Sequence, residues 1–210
     1  MTAALQAPVN HVALRVRLGD PASVATMFAR TNALDTGHFE LLDGAHSDSF
    51  VRFSRVAATD AYLDLTTQWL LPTIAAWSPE VVTAPTTAGV ALGATIAKRL
   101  GATLALTDVG DDGRPTTIRN PDQVRGRRTL LVNDVVTTGA GLAALARVAE
   151  DAGATVVGAA CFINRSPLDI GQFLHVPAAV IADIALPAWP ADQCPLCAAD
   201  APVTPALEIN

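Results

Sequence analysis

From residue 80 onward the apolar positions fall into short unbroken runs, and between the runs the spacing changes to that of an amphipathic helix. Val81-Val82-Thr83-Ala84, Thr103 to Thr107, Leu130 to Val132, Thr155 to Ile163 and Val180 to Leu186 have strand length and are rich in β-branched residues. Thr87 to Leu100 and Leu142 to Ala152 carry helical spacing, and each is followed by a glycine stop, Gly101 and Gly153. Strands that are apolar on both faces must be covered on both faces. Alternation with helices at this spacing therefore predicts an α/β fold with a parallel sheet between helices. Such sheets bind ligands beyond the carboxyl ends of their strands. That singles out Thr86 to Gly89 and the segment that follows Val132.

Upstream the pattern is different. Residues 21 to 33 read as a helix, with Asp20 as N-cap and Pro21 at its first position. Phe39 to Val56 alternates loosely around Asp43-Gly44, a hairpin signal. Residues 60 to 76 read as a helix broken or kinked at Pro72, and Asp108 to Arg128 is polar and glycine-rich. The whole chain, 1–210, is expected to be one domain. Residues 1–60 and the C-terminal segment would form a small hood, and 61–186 the core.

Composition narrows the function. Half of the 210 residues are apolar, enough for a sizeable core. A net charge of −6 argues against nucleic-acid binding. No apolar run reaches the roughly 18 residues needed to cross a bilayer, and Met1 to Asn10 lacks a basic, apolar leader pattern. A cytoplasmic protein is expected. Three cysteines without a secretion signal do not make a disulfide framework.

The richest stretch is Leu130-Leu131-Val132-Asn133-Asp134-Val135-Val136-Thr137-Thr138-Gly139-Ala140-Gly141. An apolar strand ends in a polar pair, and a loop of small residues then opens a helix. Free backbone N–H groups at such a helix start, reinforced by the helix dipole, cradle a phosphate. Asp134 beside them can hold a sugar's hydroxyls or a metal ion.

This stretch resembles the phosphoribosyl pyrophosphate (PRPP) motif of the type I phosphoribosyltransferases, and further segments extend the resemblance towards orotate phosphoribosyltransferases. Gly37-His38-Phe39-Glu40-Leu41-Leu42-Asp43-Gly44-Ala45-His46-Ser47 is similar to their N-terminal signature. Ala84-Pro85-Thr86-Thr87-Ala88-Gly89 stands at their pyrophosphate loop, Asn164-Arg165-Ser166 at a segment that helps hold the base, and Cys194-Pro195-Leu196-Cys197 at a C-terminal motif of one branch. The resemblance implies a central parallel sheet flanked by helices with a small N-terminal hood. It implies transfer of a phosphoribosyl group from PRPP to a base-like acceptor, with magnesium as cofactor, no nucleic-acid or membrane partner, and a homodimer. PRPP would be held by Asn133, Asp134, Val135, Thr137, Thr138, Gly139, Ala140 and Gly141, by Thr86, Thr87, Ala88 and Gly89, and by Asp108 and Arg119. Asp134 and Arg114 would be catalytic, with Asp134 also the metal ligand. Arg165, Phe39 and Phe53 would meet the acceptor.

Three departures remove charge from the expected site. Asn133 stands at the first acidic position, Val109 where the closing loop would carry a lysine, and Phe53 where the substrate would meet one. Lys98 is the only lysine of the chain, so Arg114 and Arg119 are the cations left to the loop, and Arg52 or Arg55 could serve in place of Phe53. These losses keep open an acceptor other than orotate, or a PRPP-binding regulator without turnover. For Thr86 or Thr87 a plain helix N-cap is the simpler reading, and for Asp134 an Asx turn. Cys194 and Cys197 have zinc-ligand spacing, but no second pair of ligands is legible. They read as a tight C-terminal turn, and His38 and His46 as structural or loop residues.

Overall fold

The computed structural model describes residues 12–205, so Met1 to Asn10, read above as lacking a leader pattern, lies outside the described residues. In chain order the elements are β1 (Leu14–Val16), α1 (Pro21–Thr31), β2 (Leu34–Glu40), β3 (His46–Val51), α2 (Phe53–Ala57), α3 (Asp60–Ala75), β4 (Val81–Pro85), α4 (Gly89–Leu100), β5 (Thr103–Val109) and β6 (Pro115–Ile118). They continue with β7 (Arg128–Val136), α5 (Ala140–Asp151), β8 (Thr155–Asn164), α6 (Ile170–Leu174), β9 (Ala178–Ile184), α7 (Pro195–Ala198) and β10 (Thr204–Pro205). The five apolar runs become β4, β5, β7, β8 and β9, all parallel, as the spacing predicts. Two strands not legible in the pattern, β1 and β6, add antiparallel to the two edges. They complete a seven-stranded sheet in the order β1-β9-β8-β7-β4-β5-β6.

Alternate residues of the central strands feed two cores. Val82, Ala84, Leu130, Val132, Ala160, Phe162 and Ile181 face α1 to α4, while Val81, Leu131, Ala159, Cys161 and Val180 face α5. This period-two division explains why the strands read as continuous apolar runs. On the first face Phe162 stacks against Phe28 and meets Phe53 at a tilt, with centroids 5.7 and 5.0 Å apart. Burying such rings contributes about 2–3 kcal/mol each.

Local signals explain the helix starts. The Asp20 carboxylate accepts from the Ser23 N–H at 2.7 Å and Pro21 opens α1, which Asn32 then ends in the left-handed conformation. Pro72 lies inside α3, which stays a single element of 16 residues. Thr66 and Thr67 of this helix donate to the carbonyls of Tyr62 and Leu63. Such back-bonding to the preceding turn lets small hydroxyls be buried without loss.

The hood is smaller than residues 1–60. β1 pairs with β9 in the main sheet, and Val24, Met27 and Phe28 of α1 and Phe53 and Val56 of α2 belong to the first core. A second, three-stranded sheet, β10-β2-β3, is formed by residues 34–51 and the C-terminal strand. The alternation of β3 leads one to expect Phe53 on the same strand. The chain instead turns into α2 after Arg52 and buries Phe53 to 1% exposure.

Candidate active site

The order of the central strands reverses between β4 and β7. From β4 the chain passes to β5 on one side, and from β7 to β8 on the other. Right-handed crossovers then put α4 and α5 on opposite faces, and a crevice opens where they part. The loop after β4 and the loop after β7 meet there. A Cβ added at Gly89 would stand 3.3 Å from the Asp134 backbone nitrogen, so a glycine is what allows the two loops to touch.

Both helices that start at this crevice do so without a side-chain cap. The cap residue of α4 is Ala88 and that of α5 is Gly139. The simpler alternative, a plain N-cap by Thr86 or Thr87, is therefore not what the structure has. Contrast α1 and α6, capped by Asp20 and Asp169. The starts of α4 and α5 leave backbone donors for an anion, apart from the Ala140 N–H, which donates to the Thr138 hydroxyl at 3.4 Å. Gly139 takes φ of +84°, and a Cβ there would meet Leu168 and Phe173 at 3.0 Å. Only glycine lets the loop turn so sharply with α6 packed behind it.

One pocket gathers these parts. Its walls include Thr87, Asn133, Asp134, Val135, Thr137, Thr138, Gly139, Ala140, Gly141, Arg114 and Arg165. Strand β7 runs on to Val136, past the expected end at Val132, because β8 keeps pairing with it as far as Asn164. Asn133 and Asp134 are thus held on a strand. The Asn133 side-chain oxygen accepts from the Asp134 N–H at 3.0 Å. Burial pushes the Asp134 carboxyl above the usual carboxylate range, against the lowering effect of hydrogen bonds from the N–H groups of Val135 and Asp134 itself. A carboxylate in such a place is relieved by a ligand's hydroxyl donors or by a cation.

Arg165 follows β8 beside the end of β7, its N–H donating to the Val136 carbonyl at 2.9 Å, and its side chain reaches the small sheet. Asn164, 2% exposed, anchors the turn that presents it: its amide donates to Leu168 and Asp183, and its oxygen accepts from Ser166. The Arg165 guanidinium donates to the Ser47 hydroxyl at 3.1 Å and the Ser49 carbonyl at 3.4 Å. Burial pulls its pKa down, opposed by the charges of Asp43 and Asp48. A half-buried cation with neutral hydrogen-bond partners is a site for an anionic or carbonyl oxygen. Hood residues Leu41, Asp43, Phe50 and Val51 close this side. The hairpin signal at Asp43-Gly44 points to this region, but the sequence assigns none of these four to the site.

Other expected residues lie elsewhere. Phe53 is in the core, and Phe39 is buried against Phe50, centroids 5.6 Å apart, leaving Phe50 on the pocket wall. Arg52 and Arg55 both pair with Asp35. Arg119 pairs with Asp108 at 2.7 Å outside the pocket lining, so Arg114, in the β5–β6 turn, is the loop cation that reaches the cleft. Thr86, Ala88 and Gly89 flank Thr87 without joining the pocket lining. His38 and His46 do not line the pocket. They lie beside Cys194 and Cys197 and supply the second pair that the sequence does not reveal.

Known proteins resemble this chain in sequence and in fold. Residues 59–167 match the family model of the phosphoribosyl transferase domain. Over 181 residues the chain is 30% identical to an orotate phosphoribosyltransferase of Thermus thermophilus, covering 86% of this chain and 97% of that protein. Its identity to the orotate phosphoribosyltransferase of Caldanaerobacter subterraneus is 27% over 176 residues, 83% and 90% of the two chains. The crystal structure of orotate phosphoribosyltransferase from Aeropyrum pernix has the same fold, with a TM-score of 0.63 at 24% identity over 75% of this chain and 92% of that one.

Proposed function

Since this chain belongs to the phosphoribosyl transferase domain family, we propose that it moves the 5-phosphoribosyl group of PRPP to orotate, giving orotidine 5′-phosphate and pyrophosphate. The observation that carries the reading is the gathering of Asp134, the start of α5, Thr87 and the Arg165 guanidinium in one pocket. Thr137 to Gly141 would hold the 5′-phosphate through backbone N–H groups and threonine hydroxyls. The Thr86 to Gly89 loop and Arg114 would hold the pyrophosphate, and Asp134 the ribose hydroxyls. Arg165 would pair with the acceptor's carboxylate or ring carbonyl.

The C1–pyrophosphate bond breaks with the electron pair leaving on the pyrophosphate oxygen, and a ring nitrogen of the acceptor bonds to C1. The ribose passes through an oxocarbenium-like transition state. This chain's part is to align the two reactants and stabilise the charges that develop. The donor set suits magnesium, a hard cation usually bound through one or two carboxylates and substrate phosphates. Asp134 is the carboxylate that would hold it, and magnesium when bound would neutralise the departing pyrophosphate.

One observation favours a second reading, a different aromatic or heterocyclic acceptor. Lys98 sits in the last turn of α4, at the end away from the cleft, and Arg114 is left as the loop cation in the pocket. Pyrophosphate release from PRPP and magnesium, with and without orotate, separates the readings. Orotate-dependent release is expected. Release with other acceptors only would establish the second reading. PRPP binding by calorimetry, with no release for any acceptor, would make the protein a PRPP-responsive regulator.

A cytoplasmic homodimer completes the proposal, as the family resemblance implies. No helix among the described residues is long and apolar enough to cross a membrane. Light scattering at assay concentrations is expected to give twice the chain mass of 21.7 kDa; a monomer mass with full activity would refute the dimer.

A further inference from the structure

The small sheet brings together four side chains that the cleft does not use. His38 comes from β2, His46 opens β3, and Cys194 and Cys197 flank the first turn of α7. Their four ligand atoms all lie within 4.8 Å of one another. The His38 Nε2 is 2.8 Å from His46 Nδ1, 3.5 Å from Cys194 Sγ and 3.6 Å from Cys197 Sγ, and the Cys197 Sγ is 3.2 Å from His46 Nδ1. A tetrahedral zinc with bonds of about 2.0–2.1 Å to nitrogen and about 2.3 Å to sulfur has nitrogen–sulfur edges of about 3.5 Å and a nitrogen–nitrogen edge of about 3.3 Å. The three nitrogen–sulfur edges given lie close to that value, and the imidazole edge is about half an ångström shorter.

The surroundings are those of a ligand set. His38 Nδ1 faces the Ala201 carbonyl at 2.8 Å, which fixes the proton there and turns the Nε2 lone pair into the cluster. His46 is pinned through its backbone, exchanging hydrogen bonds with Trp189 at 2.8 Å in both directions. His38, His46 and Cys194 are buried, at 6%, 8% and 3% exposure. The imidazoles and thiols face one another, and no acidic residue joins the cluster among the described residues. Two soft sulfur and two nitrogen donors in a tetrahedron select zinc over magnesium or calcium. All four positions are protein ligands, so the site is closed and structural, with no place for a catalytic water.

We propose that His38, His46, Cys194 and Cys197 bind a structural zinc ion that clasps the C-terminal segment to the hood hairpin. The clasp has a purpose that packing alone serves poorly. The β10–β2 pairing spans two residue pairs, Thr204 with Phe39 and Pro205 with Glu40. A three-stranded sheet of this size has little core of its own, and small units of that kind depend on a metal or other staple. The zinc would also steady the acceptor wall. The Ser47 hydroxyl, next to His46, donates to the Pro187 carbonyl at 2.6 Å and accepts from Arg165.

The test is metal analysis of the full chain purified without chelators, followed by cobalt substitution. Roughly one zinc per chain is expected, and the cobalt form should show tetrahedral visible bands with sulfur-to-metal charge transfer in the near ultraviolet. Chelation should lower Tm by roughly 10 °C, restored by zinc. Cys197→Ser, at the exposed end of the cluster, should reduce zinc content to about a tenth, while Cys161→Ala, on a strand outside it, should leave it unchanged. Folded wild-type protein with negligible zinc, no sulfur–cobalt absorption and a Tm indifferent to chelator would overturn the proposal. A Cys194–Cys197 disulfide found by mass analysis of protein kept free of oxidant would also overturn it. None of these readings depends on which acceptor the enzyme uses.

Discussion

Asp134→Asn is expected to lower kcat/KM on the order of 10²–10³-fold, the scale of losing one preorganised contact to a developing charge, while the ligand-free protein becomes no less stable. The two halves of this result have one cause. Burial raises the Asp134 pKa in the folded chain, so between the ordinary and the raised value the folded state holds a proton that the unfolded state has released. Stability from this group is therefore full at acid pH and falls as pH rises through that window. The uncharged amide does not carry this penalty, and Tm near neutral pH should stay equal or rise. Ligand binding has the opposite sign. The ionised carboxylate is the form that takes ribose hydroxyls and a cation, so PRPP affinity in the wild type should weaken as pH falls through the raised pKa. In Asp134→Asn that arm should be flat. Calorimetry of PRPP with magnesium across pH, together with melting curves, checks both. A variant that melts much lower and keeps its PRPP affinity would show Asp134 to be a structural turn residue.

Arg165→Ala is expected to raise KM for the acceptor on the order of 10²-fold, about 3 kcal/mol, the range for truncating one partner of a desolvated charge pair. KM for PRPP should change much less, because the Arg165 guanidinium is turned to Ser47 and Ser49 of the small sheet. Arg165→Lys should recover only part of the loss. An ammonium keeps the charge, but it cannot bond the Ser47 hydroxyl, the Ser49 carbonyl and a planar substrate edge together as the guanidinium fork can. Steady-state kinetics with each substrate varied in turn decide the matter. Equal effects on both KM values would mean that Arg165 shapes the whole cleft and does not select the acceptor.

The two halves of the pocket differ in how far the sequence reveals them. The phosphate side is contiguous. A strand, a polar pair, a glycine loop and a helix start stand in order from Leu130 to Leu142, and the parallel sheet follows from five apolar runs and two glycine stops. The acceptor side is assembled from residues far apart. Phe53 is misleading in the sequence because the alternation of β3 gives no sign that the chain will coil after Arg52. That turn sends Phe53 to Phe162 and leaves Phe50 on the wall. Arg52 and Arg55 read as available cations because their partner Asp35 lies well upstream, on the other strand of the hairpin. The four-residue cluster is hidden for the same reason. Cys197 meets His38 across a sequence separation of 159 residues, and no local spacing encodes such a meeting. Sequence periodicity reports which face an element buries. It does not report which distant element covers that face.

The pairings of β1 and β10 bear on how the chain is made. Leu14 lies opposite Ile184, and Phe39 opposite Thr204. Synthesis proceeds from the N-terminus, so β1 and β2 leave the ribosome long before β9 and β10. The central strands β4, β5, β7 and β8 can pair as they appear. β1 must wait for β9, while β2 can pair at once with β3 and waits only for β10. A chain that has emerged through β9 but not yet through β10 would thus present a complete main sheet and phosphate loop beneath an unfastened hood.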